Sequence, residues 1–260
     1  MKISLITVSF NSVSTISDTF DSVLAQTYSD LEYIVVDGSS SDGTVEIIKE
    51  YETKFNGKLR WVSQPDKGLY DAINKGIQMA TGDIVGIIHS DDFYAHDTVL
   101  KQIVETFKQN TNTQVVFGDV RFVRPDNLKK TIRYYSSAKF TPKRFRFGFM
   151  PAHPTFFTYK SNFEKLGYYE TNYKIAADFE LLLRFLKIHK LPYRYLPLDM
   201  ITMRTGGLST NSYKSNLLLN KEIVKACKKN GVYTNCVLVY LKYFVKIFEL
   251  VDRRDEPKEK

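Results

Sequence analysis

Cysteine is scarce: Cys227 and Cys236 are the only two in 260 residues. Two thiols cannot staple a small disulfide scaffold, and these lack metal-ligand spacing. They read as free thiols of a reducing compartment, so a cytoplasmic location is the default. Long apolar runs are also missing. No stretch of about 18 uncharged apolar residues occurs, which excludes an obvious membrane-spanning helix. The opening Met1 to Val8 carries one short apolar run without a cleavage-site pattern, and reads as a first strand rather than a signal peptide. Zinc-finger spacing and a basic-aromatic strand pattern are absent, so nucleic acid is not an expected partner. There is no Walker loop and no Gly-x-Gly-x-x-Gly, so dinucleotide binding is disfavoured. There are no internal repeats.

What is present begins with a formal net charge of +8. Such a balance suits a diphosphate ligand or an anionic surface, although the charge is spread out and reads first as solvated basic surface.

The first half alternates strand and helix. Apolar runs at Ile3 to Val8, Leu31 to Val36, Leu59 to Val62, Ile84 to Ile88 and Val115 to Val123 read as strands, the last with Gly118 inside it. Between them lie amphipathic segments, such as Ile16, Phe20, Val23 and Leu24 on one helical face and the run Leu69 to Met79. This pattern predicts an α/β fold: a Rossmann-like domain with a mostly parallel central sheet covered by helices on both faces. Ligands then bind at the carboxyl ends of the strands. The polar clusters Ser9 to Asn11, Asp37 to Asp42, Gln64 to Gly68 and Ser90 to Asp92 all fall at those ends, so four loops converge on one crevice.

The middle is less regular. Lys139 to Phe149 is basic and aromatic and reads as a mobile loop. Lys160 to Leu166 and Asp178 to Ile188 read as helices, and Tyr193 to Leu196 as an edge strand. From about Ser212 two helices split near Asn230 and Gly231, followed by a charged tail from Arg253. The expected organisation is a catalytic domain over 1–211, with a nucleotide-binding half over about 1–123 and an acceptor half over about 124–211. Residues 212–260 form a helical appendage.

Several residues could carry chemistry. Asp91 and Asp92 are adjacent carboxylates after a buried strand and repel each other unless a cation joins them. A hard divalent ion bridging to diphosphate oxygens would resolve that; helix capping is the plainer use. Asp37, ending the second strand, can accept hydrogen bonds from a ribose or base, or simply serve an Asp-Gly turn. Asp66 and Lys67 precede a helix start, where anions are favoured. Asp178 suits either a general base or an N-cap, with Glu180 as the nearest rival carboxylate. Arg204 lies on the turn Met203 to Ser209, which could close over phosphates. His153, between Ala152 and Pro154, reads first as a structural histidine.

Taken in order, these elements resemble family 2 glycosyltransferases, which have the GT-A fold. The match runs from about Ile3 to Ser209. It comprises Thr7-Val8-Ser9-Phe10-Asn11, Asp37-Gly38-Ser39 with Asp42-Gly43-Thr44, and the block Asp66-Lys67-Gly68 through Tyr70-Asp71-Ala72 to Asn74-Lys75-Gly76. Then come Ser90-Asp91-Asp92, His153 to Phe157, and Ala177-Asp178-Phe179-Glu180-Leu181. The resemblance implies a nucleotide-sugar donor, most readily a UDP-sugar, with GDP and dTDP as alternatives. It implies Mg²⁺ or Mn²⁺ on Asp92 and ribose contact by Asp91. Asp37 would contact the nucleoside, with Ser9, Asn11 and Ser39 lining its pocket and Asp66 and Lys67 near the base and ribose. Asp178 matches the family's catalytic base, in an inverting single displacement. Arg204 would act as an electrostatic clamp, and His153 is a weaker candidate for phosphate or acceptor contact.

The Gln-x-x-Arg-Trp motif of processive synthases is absent. Transfer of one sugar to a glycan or lipid-linked acceptor, in cell-surface polysaccharide biosynthesis, is therefore expected. A stripe of Leu241, Phe244, Val245 and Phe248 flanked by lysines suits either packing on the catalytic domain or a second subunit, or an interfacial position at the inner face of the cell membrane. Two other classes stay open: a nucleotidyltransferase, whose glycine- and lysine-rich N-terminal signature is missing, and a non-catalytic nucleotide-sugar-binding scaffold, which the intact carboxylate set disfavours.

Overall fold

The computed structural model describes the backbone of residues 1–206 and 213–251, and the side chains of 1–206 and 214–243. Gly207 to Ser209 of the glycine turn, Phe244, Val245 and Phe248 of the apolar stripe, and the tail from Arg253 lie outside the described residues or side chains.

Four parallel strands form one side of the sheet: β1 (Ile3–Ser9), β2 (Leu31–Asp37), β3 (Leu59–Ser63) and β4 (Ile84–Ile87). Every residue of β1, β2 and β4 is buried, as continuous apolar runs require when both faces are covered. The alternation sends Ile3 and Leu5 to one face, against α1 (Ile16–Leu24), α2 (Thr44–Lys54) and α4 (Val99–Gln109). It sends Ile6 and Val8 to the other, against α3 (Leu69–Met79) and α6 (Ala177–Leu183).

Beyond β4 the sheet is mixed rather than mostly parallel. Its order is β3-β2-β1-β4-β8-β6-β9-β5, with β7 also paired to β6. Here β5 is Phe93–Tyr94, β6 Val115–Arg124, β7 Asn127–Tyr135, β8 Phe157–Tyr159 and β9 Tyr193–Arg204. The short β8 runs antiparallel between β4 and β6, while β6 and β9 are parallel. β6 and β7 form a hairpin, and a short connection between paired strands forces antiparallel pairing.

Gly86 of β4 pairs with Phe157 of β8, and a Cβ on Gly86 would lie 2.0 Å from the Phe157 ring. Gly86→Ala is therefore expected to cost about 1–3 kcal/mol through overpacking. Urea unfolding checks this; a wild-type midpoint would refute the close packing.

Two expectations in the middle of the chain change. The strand expected over Tyr193 to Leu196 runs on to Arg204; residues 193–196 pair with β6 alone, as an edge strand does, and β5 covers the other side only at Ile201 and Thr202. Pro197 hid its continuation, and the β6–β9 register shifts there, opposite Gly118. The segment Lys139 to Phe149 contains a 3₁₀ turn over Pro142–Phe147, anchored by buried Phe140 and Phe145. The helix expected over Asp178 to Ile188 is present, beginning at Ala177 and running into a π turn over Arg184–Ile188.

α5 spans Lys160–Leu166, α7 spans Tyr213–Lys229 and α8 spans Cys236–Val251. Ile223, Ala226 and Cys227 of α7 and Val239 of α8 enter the same core as α6. Both cysteines are free. On α8, Val239 and Lys242 are buried, whereas Val237, Tyr240 and Leu241 are exposed. Among the described residues no helix is long and apolar enough to cross a membrane.

Candidate active site

Parallel pairing lines up the carboxyl ends of β1, β2 and β3, placing Ser9 beside Asp37 and Asp37 beside Ser63. Asp37 is fully buried. It accepts hydrogen bonds from the hydroxyls of Ser9 (3.0 Å), Ser63 (2.6 Å) and Ser40 (2.5 Å), and from the Ser40 N–H (2.9 Å). Four donors match the lone-pair sites of one carboxylate. Asp37 thus ties three strand ends together.

The loops it anchors are held in sparsely populated conformations. Asn11 and Ser39 adopt left-handed backbone, with φ of 50° and 63°. Asn11 accepts from the Ser41 N–H at 3.0 Å and donates its own N–H to the Ser40 hydroxyl at 2.8 Å. A left-handed serine is uncommon and persists only where its surroundings enforce it. Phe10, at the tip of β1, is 66% exposed. A Cβ on Gly38 would meet the Asp66 carboxylate at 2.7 Å and the Phe10 ring at 3.3 Å. An exposed ring, a bare backbone and a carboxylate therefore meet at one point. The ring can stack on a flat base, and the carboxylate can accept from its N–H groups. Asp66 also accepts from the Gly68 N–H at 2.7 Å, and Lys67 is exposed beside it.

The loop after β4 presents Asp91 and Asp92. Its backbone is fixed: Thr19 donates to the Asp92 carbonyl at 2.7 Å, and the Asp92 N–H donates to His89 at 3.1 Å. A hydrogen bond of 2.9 Å between the Ser12 and Ser90 hydroxyls links this loop to the one after β1. The Asp92 side chain is fully buried, and neither carboxylate oxygen has a hydrogen-bond partner. Burial, reinforced by Asp91 and opposed by Arg204, pushes its pKa well above the usual carboxylate range.

Arg204 ends β9 and is nearly buried; it donates to the Asp91 carbonyl at 2.6 Å and pairs with Asp18 of α1. Its guanidinium lies 5.2 Å from the Phe93 ring. An orphaned buried carboxylate is costly, and a divalent cation fits the need. Among the described residues no three His, Cys, Asp or Glu side chains converge on one point. A cation here would therefore complete its shell with oxygens from a ligand, as hard cations do with substrate phosphates.

Across the sheet, Asp178 sits in the first turn of α6 and is half-buried. Its Oδ1 accepts from the Phe179 N–H at 2.7 Å and lies 3.5 Å from the Tyr70 hydroxyl, which donates to the Ile175 carbonyl at 2.5 Å. Burial raises the Asp178 carboxyl to about 6, against the pull of the Phe179 N–H and Tyr70 and with a further push from Glu222. Such a group is ionised at neutral pH yet basic enough to take a proton. Glu180, the rival, is fully engaged: Arg184 bonds it at 3.0 Å and Asn230 at 3.1 Å.

His153 is buried, its Nε2 2.8 Å from the Tyr169 hydroxyl and its ring 5.9 Å from that of His89. Burial and His89 lower its pKa to about 3, which favours the neutral ring. Tyr169 in turn stacks on Tyr70. Tyr70, Tyr169, His153 and His89 thus form a continuous wall from Asp178 to the Asp91 loop. Phe10 and Tyr70 entered the sequence reading as parts of motifs without a role of their own, and Glu222 did not enter it. Phe10 resembles any strand-end core residue, and Tyr70 and Glu222 act on a loop far away in sequence.

The fold gathers its carboxylates at the strand ends, and comparison with known proteins gives the family. Residues 4–167 match the model of Glycosyl transferase family 2. An uncharacterised glycosyltransferase of Mycobacterium tuberculosis is 35% identical over 187 residues, covering 70% of this chain and 68% of its own. A PGL/p-HBAD biosynthesis glycosyltransferase of the same species is 26% identical over 223 residues, covering 85% and 82%. Among solved structures, S. aureus TarS 1-349 in complex with UDP-GlcNAc superposes with a TM-score of 0.65 at 19% identity, covering 86% of this chain and 67% of that one. This chain spans only 40% of a longer TarS structure. The mannosyltransferase PcManGT from Pyrobaculum calidifontis, in complex with GDP-Man and Mn²⁺, gives 0.63 at 18% identity, covering 94% and 69%. The chain belongs to glycosyl transferase family 2. It is a glycosyltransferase with the GT-A fold.

Proposed function

We propose that this chain moves one sugar from a nucleoside-diphosphate sugar to a hydroxyl of a glycan or lipid-linked acceptor, with inversion at the anomeric carbon. The observation that carries this reading is the orphaned, buried carboxylate of Asp92 at the strand ends. Similarity to structures holding UDP-GlcNAc and GDP-Man with Mn²⁺ supports it, and UDP is the first donor to test. The base of the nucleotide stacks on Phe10 beside Asp66 and Lys67. Asp37 shapes the loop carrying Asn11 and Ser39. Asp91 faces the ribose, and Asp92 would hold Mn²⁺ or Mg²⁺. Such an ion would supply positive charge to the departing diphosphate.

Asp178 takes the proton of the acceptor hydroxyl as its oxygen bonds to the anomeric carbon. The bond to the diphosphate breaks on the opposite face, and the electron pair leaves with the nucleoside diphosphate. Arg204 stays beside the carboxylate loop, where its charge favours the anionic donor. We assign the catalytic unit to 1–211, with α7 completing its core. Exposed Val237, Tyr240 and Leu241 on α8 support a peripheral contact with the membrane that carries a lipid-linked acceptor.

The test is product analysis with UDP-, GDP- and dTDP-sugars, Mn²⁺ and lipid-linked glycans. The reading predicts release of one nucleoside diphosphate together with a glycosylated acceptor. Release of pyrophosphate would make the chain a nucleotidyltransferase, and no turnover with any donor would favour a scaffold.

A further inference from the structure

The loop that delivers Asp178 is held by a side chain from outside the family-matched region. Glu222, on α7, is buried, and its Oε1 accepts from the Lys174 N–H at 2.8 Å. Its Oε2 accepts from the N–H groups of Ile175 at 2.9 Å and Ala176 at 3.0 Å. Ala176 is the residue immediately before α6, two positions ahead of Asp178. The Ile175 carbonyl is taken by the Tyr70 hydroxyl. Three consecutive N–H groups and one carbonyl are therefore fixed by two side chains, one from α7 and one from α3.

We propose that Glu222 is a positioning residue for the reaction: it clamps residues 174–176 so that the Asp178 carboxylate is presented to the acceptor. The inference rests on Asp178 being the base. It makes α7 part of the catalytic apparatus, although the family match ends at residue 167. A carboxylate suits the task because each oxygen accepts without donating. Glutamine of the same shape would place an NH₂ against one of the three N–H donors, leaving it unpaired.

Glu222 also adds a negative charge near Asp178. The groups around Asp178 are the hydroxyls of Tyr70 and Tyr169, Glu222 from α7, and Glu180 of its own helix, which is paired with Arg184. Of these, Glu222 is the one whose charge raises the Asp178 pKa.

The experiment compares Glu222→Gln, Glu222→Asp and Asn220→Ala in the full chain. Each is assayed for kcat, donor KM, nucleotide affinity and the pH profile of kcat/KM. Glu222→Gln is expected to lower kcat about tenfold or more, because a misplaced reacting group is costly. Nucleotide affinity should stay unchanged, and the acidic limb should move to lower pH. Glu222→Asp keeps the charge but loses reach, so kcat falls while the limb stays in place. Asn220→Ala removes the 3.1 Å bond to Tyr243 of α8 and leaves the clamp intact, so the limb should not move.

A wild-type kcat and pH profile in Glu222→Gln would overturn the proposal. So would the same shift of the limb in Asn220→Ala, which would mark a general loosening of α7. Should Glu222→Gln fail to fold, a wild-type kcat in Glu222→Asp would overturn the clamp. Asp178→Asn separates this proposal from the reading beneath it. If that variant is active the base lies elsewhere; if it is inactive while the Glu222 variants behave as wild type, only the clamp fails.

Discussion

Asp178→Asn is expected to lower kcat by about 10²–10⁴-fold, the range that a positioned general base contributes. Nucleotide affinity should remain close to wild type. Asparagine has the same shape, and its carbonyl can still accept from the Phe179 N–H, which lies 2.7 Å from Oδ1. It cannot take a proton. Neighbouring Glu180 cannot substitute, because Arg184 and Asn230 occupy its oxygens.

The pH dependence follows from the same carboxyl. Its pKa is raised to about 6, so the free enzyme holds the proton below that value and loses it above. Thus kcat/KM should climb through about 6 and level off by neutral pH. A raised carboxyl pKa also means that the fold is favoured by the protonated form, so this group's contribution to stability declines as pH rises from 3.8 through about 6. Wild-type turnover in Asp178→Asn would move the base to another residue.

Asp92→Asn should have opposite effects on stability and on binding. The wild-type side chain is fully buried, lacks hydrogen-bond partners and lies beside Asp91. Its pKa stands well above 3.8, so stability falls as pH rises from 3.8 toward that higher value. A neutral side chain of the same shape removes the part of this cost that comes from charge. A gain of about 1 kcal/mol, or ~2–4 °C in Tm for a chain of this size, is the expected result at neutral pH. The same change should abolish stabilisation by UDP with Mn²⁺, which raises the wild-type Tm by mass action. Thermal unfolding with and without those ligands reads both effects. A variant less stable than wild type, yet still stabilised by UDP with Mn²⁺, would contradict the assignment.

The parallel half of the fold was legible in the sequence because its strands are continuous apolar runs and its helices carry clear stripes. Ile3 to Ser9 and Leu69 to Met79 needed no tertiary information. The far half was less legible for identifiable reasons. Pro197 and Asp199 interrupt β9 at a register shift, and β8 is only three residues long. Neither feature stands out in a one-dimensional pattern.

The strand-end loops could be located from sequence, since polar clusters after buried runs must lie at a sheet edge. Their internal chemistry could not. Asp37 reads as a ligand contact in sequence, and the three serine hydroxyls and the backbone N–H that bond to it in the fold could not be read there. His153 sits in a motif but is a buried partner of Tyr169. The choice between Asp178 and Glu180 turned on Arg184 and Asn230, and the latter lies 50 positions away from Glu180.

The most direct test of the central claim is calorimetric binding of UDP, GDP and dTDP, each with Mn²⁺ and with EDTA, to the wild type and to Asp92→Asn. The account predicts that one of the three binds the wild type with Mn²⁺, and that EDTA or the substitution removes that binding. Equal affinity in EDTA and in Asp92→Asn, or no binding of any nucleotide to the wild type, would contradict a metal-assisted donor site at the strand ends.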